Sequence, residues 1–247
     1  MKAGVPEGGL TIAVDEQGRF HANLTLHIAT DVTPVWLDIA VSHAIETEQR
    51  HAHVLDAWSQ PDDDALVAAM EAEAAAAMEC SLASAVALDA FYSLVKRDSS
   101  FPASLTDIWR KKRTARHRQV VEVLRRSFKV TSATLKHLQT NVKEVFRFRD
   151  LAVHPPARLQ PPLWYEDLRL STEWRFIYFR WANARLMCQA ALSTVSQLVA
   201  CPKNASALLK DTCDAAAPRV RLVVARWEAR YGNVLDLPGQ AASDHAI

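Results

Sequence analysis

Hydrophobic and polar residues alternate strictly at only one end of this chain. Leu10, Ile12 and Val14 occupy every second position, and after Asp15-Glu16-Gln17-Gly18 the alternation resumes with Phe20, Ala22, Leu24, Leu26 and Ile28. Residues two apart on a strand share a face, so this stretch predicts a β-hairpin with one apolar face that needs a helix to cover it. From Thr33-Pro34 onward the apolar spacing changes to three and four. Thr33 is a good N-cap and Pro34 suits the first helical position, which predicts a helix to about Trp58. Gln60-Pro61 ends it, and Asp62-Asp63-Asp64 supplies carboxylates to the next N-terminus. That second helix, to about Lys96, carries Leu66, Met70, Ala77, Cys80, Leu88, Phe91 and Val95 on one stripe. Its many alanines permit close approach of neighbours, so a central place in a bundle is expected.

Further helices are predicted near 104–128 and 131–153, the latter with Leu135, Leu138, Val142, Val145 and Phe146 at helical spacing. Pro155, Pro156, Pro161 and Pro162 then impose an extended loop. Ser171 or Thr172 is expected to cap a long helix reaching Ala200. A last helical region, broken or kinked near Pro218, should end around Tyr231-Gly232. The fold class expected is all-α: a helical bundle with a small N-terminal β-hairpin. The hairpin appendage covers 1–30, the bundle domain 31–232 and a frayed tail 233–247. No internal repeat is visible.

Composition narrows the function. The 247 residues are 49% hydrophobic and 23% charged, the balance of a globular protein. Only six glycines occur, and positions 19 to 231 hold none. Dinucleotide fingerprints, P-loops and nucleophile elbows need glycine where backbone turns sharply or meets phosphate, so all three are excluded. Cys80, Cys188, Cys201 and Cys213 have neither CxxC nor zinc-ligand spacing and read as reduced thiols. The chain has no uninterrupted apolar run of about 18 residues, and its start, MKAGVPEGG, has no export pattern. A cytoplasmic location is expected, with no membrane partner and no metal or cofactor.

Charge is distributed far less evenly than the net of +1 suggests. Residues 1–100 hold 5 Lys and Arg against 16 Asp and Glu, a net of −11, whereas residues 110–149 hold 13 against 2, a net of +11. The basic block opens with Arg110, Lys111, Lys112 and Arg113. Such a stripe is the footprint of a polyanion partner, or else it answers the acidic half of the same chain.

Just before the prolines stands Arg149-Asp150-Leu151-Ala152-Val153-His154. Three Arg–His pairs in the chain have four to six intervening residues: Arg110–His117, Arg147–His154 and Arg149–His154. Only the last combines a polar residue after the arginine, a proline after the histidine and a place at the end of an amphipathic helix. This segment resembles the Rx4–6H signature of HEPN domains, all-helical modules of which many are metal-independent ribonucleases. The resemblance extends over about residues 35–200. It implies a homodimer with a composite site, Arg149 and His154 as catalytic residues, and a prokaryotic toxin or defence effector with an antitoxin partner.

The residue types suit that chemistry. RNA is cut without metal when its own 2′-hydroxyl attacks the neighbouring phosphate. Histidine titrates near neutrality and can take the hydroxyl proton. Arginine offers a fixed fork of donors to the phosphoryl oxygens. Asp150 lies one helical turn before His154 and is placed to hold its tautomer, while Arg147 shares the same face and is an auxiliary phosphate ligand. The rival reading makes His154 a helix cap and Arg149–Asp150 a surface ion pair. Two other functions stand beside the nuclease: a non-catalytic HEPN-like binding or adaptor module, and an unrelated helical protein whose charged halves pair. Glu48-Gln49-Arg50-His51, with His43, Glu46 and His53 nearby, is a single ExxH; a di-iron bundle needs two, so a solvated face is expected. The aromatic residues Trp164, Tyr165, Trp174, Phe176, Tyr178, Phe179 and Trp181 read as core or interface before base-stacking platform.

Overall fold

A computed structural model describes residues 2–5, 7–99 and 101–236. The chain divides into two units, residues 1–32 and 33–247. In the first, β2 (Leu10–Val14) pairs antiparallel with β3 (Phe20–Leu24), so that Leu10, Ile12 and Val14 face Leu24, Ala22 and Phe20. The turn closes because Asp15 Oδ1 accepts from the Gln17 and Arg19 amides, both at 2.9 Å, and Gly18 takes a φ of 76° that other residues rarely adopt. A second antiparallel pair, β1 (Lys2–Gly4) with β4 (His27–Ala29), brackets this hairpin and was not expected. Leu10, Ile12, Val14, Phe20 and Leu24 are between 54% and 79% exposed. The apolar face predicted from alternation is present, and among the described residues this unit contains no helix to bury it.

The second unit is the helical bundle expected. Its α1 (Thr33–Trp58) runs between the residues predicted for it. The next helix, α2 (Asp63–Asp98), starts at the N-cap Asp62, whose carboxylate accepts the Ala65 amide at 3.0 Å. It packs against α1 and five later helices: α4 (Arg116–Phe128), α5 (Ser132–Val153), α6 (Trp174–Tyr178), α7 (Trp181–Ala200) and α8 (Ala207–Tyr231). Its alanine-rich stripe makes that central position sterically feasible. Leu37 and Val41 of α1, Leu88 and Phe91 of α2, Leu124 of α4, Val142 and Phe146 of α5, Leu192 of α7 and Trp227 of α8 are all buried in one core. Among the described residues α2 is also the one helix long and apolar enough to cross a membrane, and most of that stretch is buried within the bundle.

Three expectations need correction. The helix predicted over 104–128 is two, α3 (Ala103–Lys111) and α4, separated by a turn in which Arg113 adopts a φ of 48°. No glycine or proline marks that turn. The Thr114 amide bonds back to the Trp109 carbonyl at 2.9 Å, and Trp109 is buried beside Phe101. The helix predicted from Ser171 or Thr172 also begins later. A short hairpin, β5 (Leu163–Tyr165) with β6 (Leu170–Thr172), precedes α6 (Trp174–Tyr178), and only then does α7 start. Of the break or kink expected near Pro218, the break is absent: Pro218 lies inside α8, which continues to the Gly232 C-cap at φ 80°. Of the tail expected to be frayed over 233–247, the first residues are described: Val234 is buried and Gln189 Nε2 donates to its carbonyl at 3.1 Å. Residues 237–247 lie outside the described residues.

Candidate functional site

The candidate site is built on the last turns of α5. Phe146 and Phe148 are both buried, which turns the intervening and following arginines toward the rim. Pro155 and Pro156 forbid further helix, so His154 becomes the C-cap, its amide donating to the Asp150 carbonyl at 2.8 Å. The His154 side chain is exposed and, among the described residues, its ring has no hydrogen-bond partner.

Asp150 does not hold that ring. Its Oδ1 instead accepts from Arg149 Nε at 3.0 Å and Nη2 at 2.5 Å. Arg149 Nη1 also lies 3.9 Å from Asp89 Oδ2 on α2, and its guanidinium stacks 4.7 Å from the Phe146 ring centre. Arg147 bonds Glu144 at 2.8 Å and rests over the Phe148 and Tyr178 rings, at 4.9 and 5.5 Å. Arg147, Asp150 and His154 follow at helical spacing along one face. Arg149 reaches that face through its bond to Asp150.

Sequence reasoning missed what α2 and α4 bring to this point. Asp89 lies between two guanidinium groups, with Arg116 Nε 2.7 Å from its other oxygen. Next to Arg116 on α4, His117 is partly desolvated, and this burial pulls its pKa below the ordinary 6.5. The positive charges of Arg118 and Lys143 act in the same direction, and Asp150 opposes them. The Arg110–His117 spacing was the one signal in the sequence that pointed toward this second histidine.

The basic block separates into two sets. Arg110, Arg125, Arg126 and Arg147 pair with acids on their own helices, while Arg116 and Arg149 share Asp89. Lys111, Lys112, Arg113, Arg118, Lys129, Lys136 and Lys143 are exposed and make no ion pair among the described residues. The acidic N-terminal half therefore answers little of the block. Some of its carboxylates turn to α8 instead, where Arg226 bonds Asp38 at 2.7 Å and Arg230 bonds Glu48 at 3.1 Å.

No family model, curated protein or solved structure matches this chain. Its function must be argued from its own side chains.

The ExxH segment is not the solvated face expected. Glu48 turns to Arg230 and the Tyr231 hydroxyl, whereas His51 is buried. His51 Nδ1 lies 3.2 Å from Glu73 Oε1, and its Nε2 lies 3.7 Å from Asp167. The Tyr165 hydroxyl donates to Glu73 Oε2 at 3.3 Å, and burial followed by the Glu73 charge raises that phenol's pKa. Of the aromatic residues, Tyr165 and Phe179 are core, and Trp164 is 56% exposed. All four cysteines are free, and only Cys201 is exposed. A groove of about 540 Å³ between α5 and α7 is lined by Thr134, His137 and Asn141, at the opposite end of α5 from His154.

Proposed function

We propose that this chain is a HEPN-like, metal-independent endoribonuclease of the toxin or defence type, acting as a homodimer. The observation that carries this reading is the exposed His154 ring, without a partner among the described residues, at the end of α5 one helical turn after the Arg149–Asp150 pair. In the proposed reaction His154 takes the proton of the RNA 2′-hydroxyl, whose oxygen bonds the adjacent phosphorus. The phosphorus–O5′ bond breaks, and the 5′-oxygen takes a proton from the His154 of a second copy. Arg149, shared at rest between Asp150 and Asp89, passes its fork to the phosphoryl oxygens. Arg147 and the basic residues beginning at Arg110, Lys111, Lys112 and Arg113 hold the neighbouring backbone.

A second reading is favoured by one observation: Arg149 already has carboxylate partners. In that reading the module binds a phosphate backbone, or an antitoxin-type partner, without cutting. One assay separates the two. Purified protein with RNA in EDTA should yield 2′,3′-cyclic phosphate ends. Arg149→Ala and His154→Ala should each lose about 10²- to 10⁴-fold in rate. Salt-sensitive RNA binding without cleavage would establish the binding module instead. Cleavage that requires Mg²⁺, or survives either substitution, would overturn the mechanism.

A further inference from the structure

On α1, His43 and Glu46 stand three residues apart, one turn of one face, and Glu79 reaches the same point from α2. His43 Nδ1 lies 3.3 Å from Glu46 Oε2 and 3.2 Å from Glu79 Oε2. All three donor atoms fall within 4.8 Å of one another. Nδ1 is buried, yet neither carboxylate oxygen is placed to form a hydrogen bond with it. Both oxygens thus approach the ring nitrogen closely without hydrogen-bond geometry. That is the arrangement of ligands around an ion, more than of a donor aimed at an acceptor.

The distances agree. Donors bound tetrahedrally to one zinc ion at about 2.0–2.2 Å sit about 3.3–3.6 Å apart, and the separations of 3.3 and 3.2 Å from Nδ1 to the two carboxylates lie at the short end of that range. The surroundings also suit a bound cation. Glu46 Oε1 accepts from Arg50 Nη2 at 3.2 Å, which orients the carboxylate and leaves Oε2 for the site. The Glu79 side chain is 59% exposed, so water can reach a fourth position. One imidazole and two carboxylates together favour a borderline first-row ion over Mg²⁺ or Ca²⁺, which prefer oxygen alone.

We propose that His43, Glu46 and Glu79 form a divalent-cation site, fitted best by Zn²⁺, that ties α1 to α2 and leaves one position open to water. Neither the spacing of the cysteines nor the single ExxH disclosed it, because its third ligand comes from another helix. The site is independent of the α5 chemistry, so removing the metal should weaken the bundle and leave RNA cleavage intact.

The test uses chelator-treated protein in a Cys201→Ser background, which removes the exposed thiol. Calorimetric titration with Zn²⁺ should show one equivalent bound, with a rise in unfolding temperature. Glu79→Gln and His43→Gln should each weaken binding tenfold or more, and Glu79→Gln should unfold at the parent temperature without zinc. Absence of saturable binding, or full binding in both variants, would overturn the proposal. Tighter binding of Mg²⁺ or Ca²⁺ than of Zn²⁺ would overturn the choice of ion.

Discussion

Glu122 is one of only two acids in the basic block, and its surroundings decide how the fold responds to acid. Arg125 bonds its carboxylate through two nitrogens at 2.9 Å and Arg126 adds a third bond, which hold its pKa down to about 2 from the ordinary 4.5. A carboxyl with a depressed folded-state pKa stabilises the fold fully above its unfolded value, and that contribution disappears as pH falls through the folded one. Denaturant midpoints should therefore decline as pH drops from about 4.5 toward 2, and Glu122→Gln should flatten this decline. An unchanged slope in the variant would show that the pair contributes nothing measurable, as exposed pairs often do. His117 acts in the same direction at higher pH: a histidine held below its ordinary 6.5 opposes protonation, so acidification through that range disfavours the folded state. The sequence displays these residues. It does not display that Arg149 would choose Asp150 and Asp89 over a free position beside His154.

At the scale of elements, the start of α7 depends on a residue 108 positions earlier. Glu73 is buried on α2, and its Oε1 accepts the Trp181 amide at 2.8 Å while Oε2 takes the Tyr165 hydroxyl. It thus caps one helix, anchors β5 and faces His51. Removing it leaves buried donors without an acceptor, so Glu73→Ala should cost about 2–4 kcal/mol in chemical unfolding. Glu73→Gln, whose carbonyl can still accept from Trp181, should recover part of that. Glu144→Ala, which removes only an exposed pair with Arg147, should change stability by about 0.5 kcal/mol or less. A Glu73→Ala effect as small as that of Glu144→Ala would remove Glu73 from this role. The same dependence on distant partners explains why α6 and α7 were read as one helix. Local spacing from Trp174 to Ala200 is helical throughout, and the interruption at Phe179 and Arg180 follows from burial of Phe179 against Phe148 and Trp174.

For the whole molecule, one Arg–His pair supplies a base and a phosphate ligand but no acid for the departing oxygen. The proposed reaction therefore requires two copies whose α5 ends face one groove, and the exposed Trp164 is available for such a contact. Mixed dimers of wild-type and His154→Ala subunits should be markedly impaired. Half activity in the mixture, or cleavage by a protein that stays monomeric at micromolar concentration, would exclude the shared site. The sequence by itself determined the fold class, the limits of α1, the start of α2, the end of α8 and the place of the Arg149–His154 motif at the end of α5, because each rests on neighbours within a few residues: Thr33-Pro34, Asp62 to Asp64, Tyr231-Gly232 and the prolines after His154. Tertiary structure alone decided the turn at Arg113, the β5–β6 hairpin, the burial of His51 and the convergence of His43, Glu46 and Glu79. The turn at Arg113 follows from the burial of nearby Trp109 against Phe101. The other three depend on partners more than 20 residues away, such as Glu73 for His51 and Tyr165, and Glu79 for His43, which packing brings together where no local pattern records them.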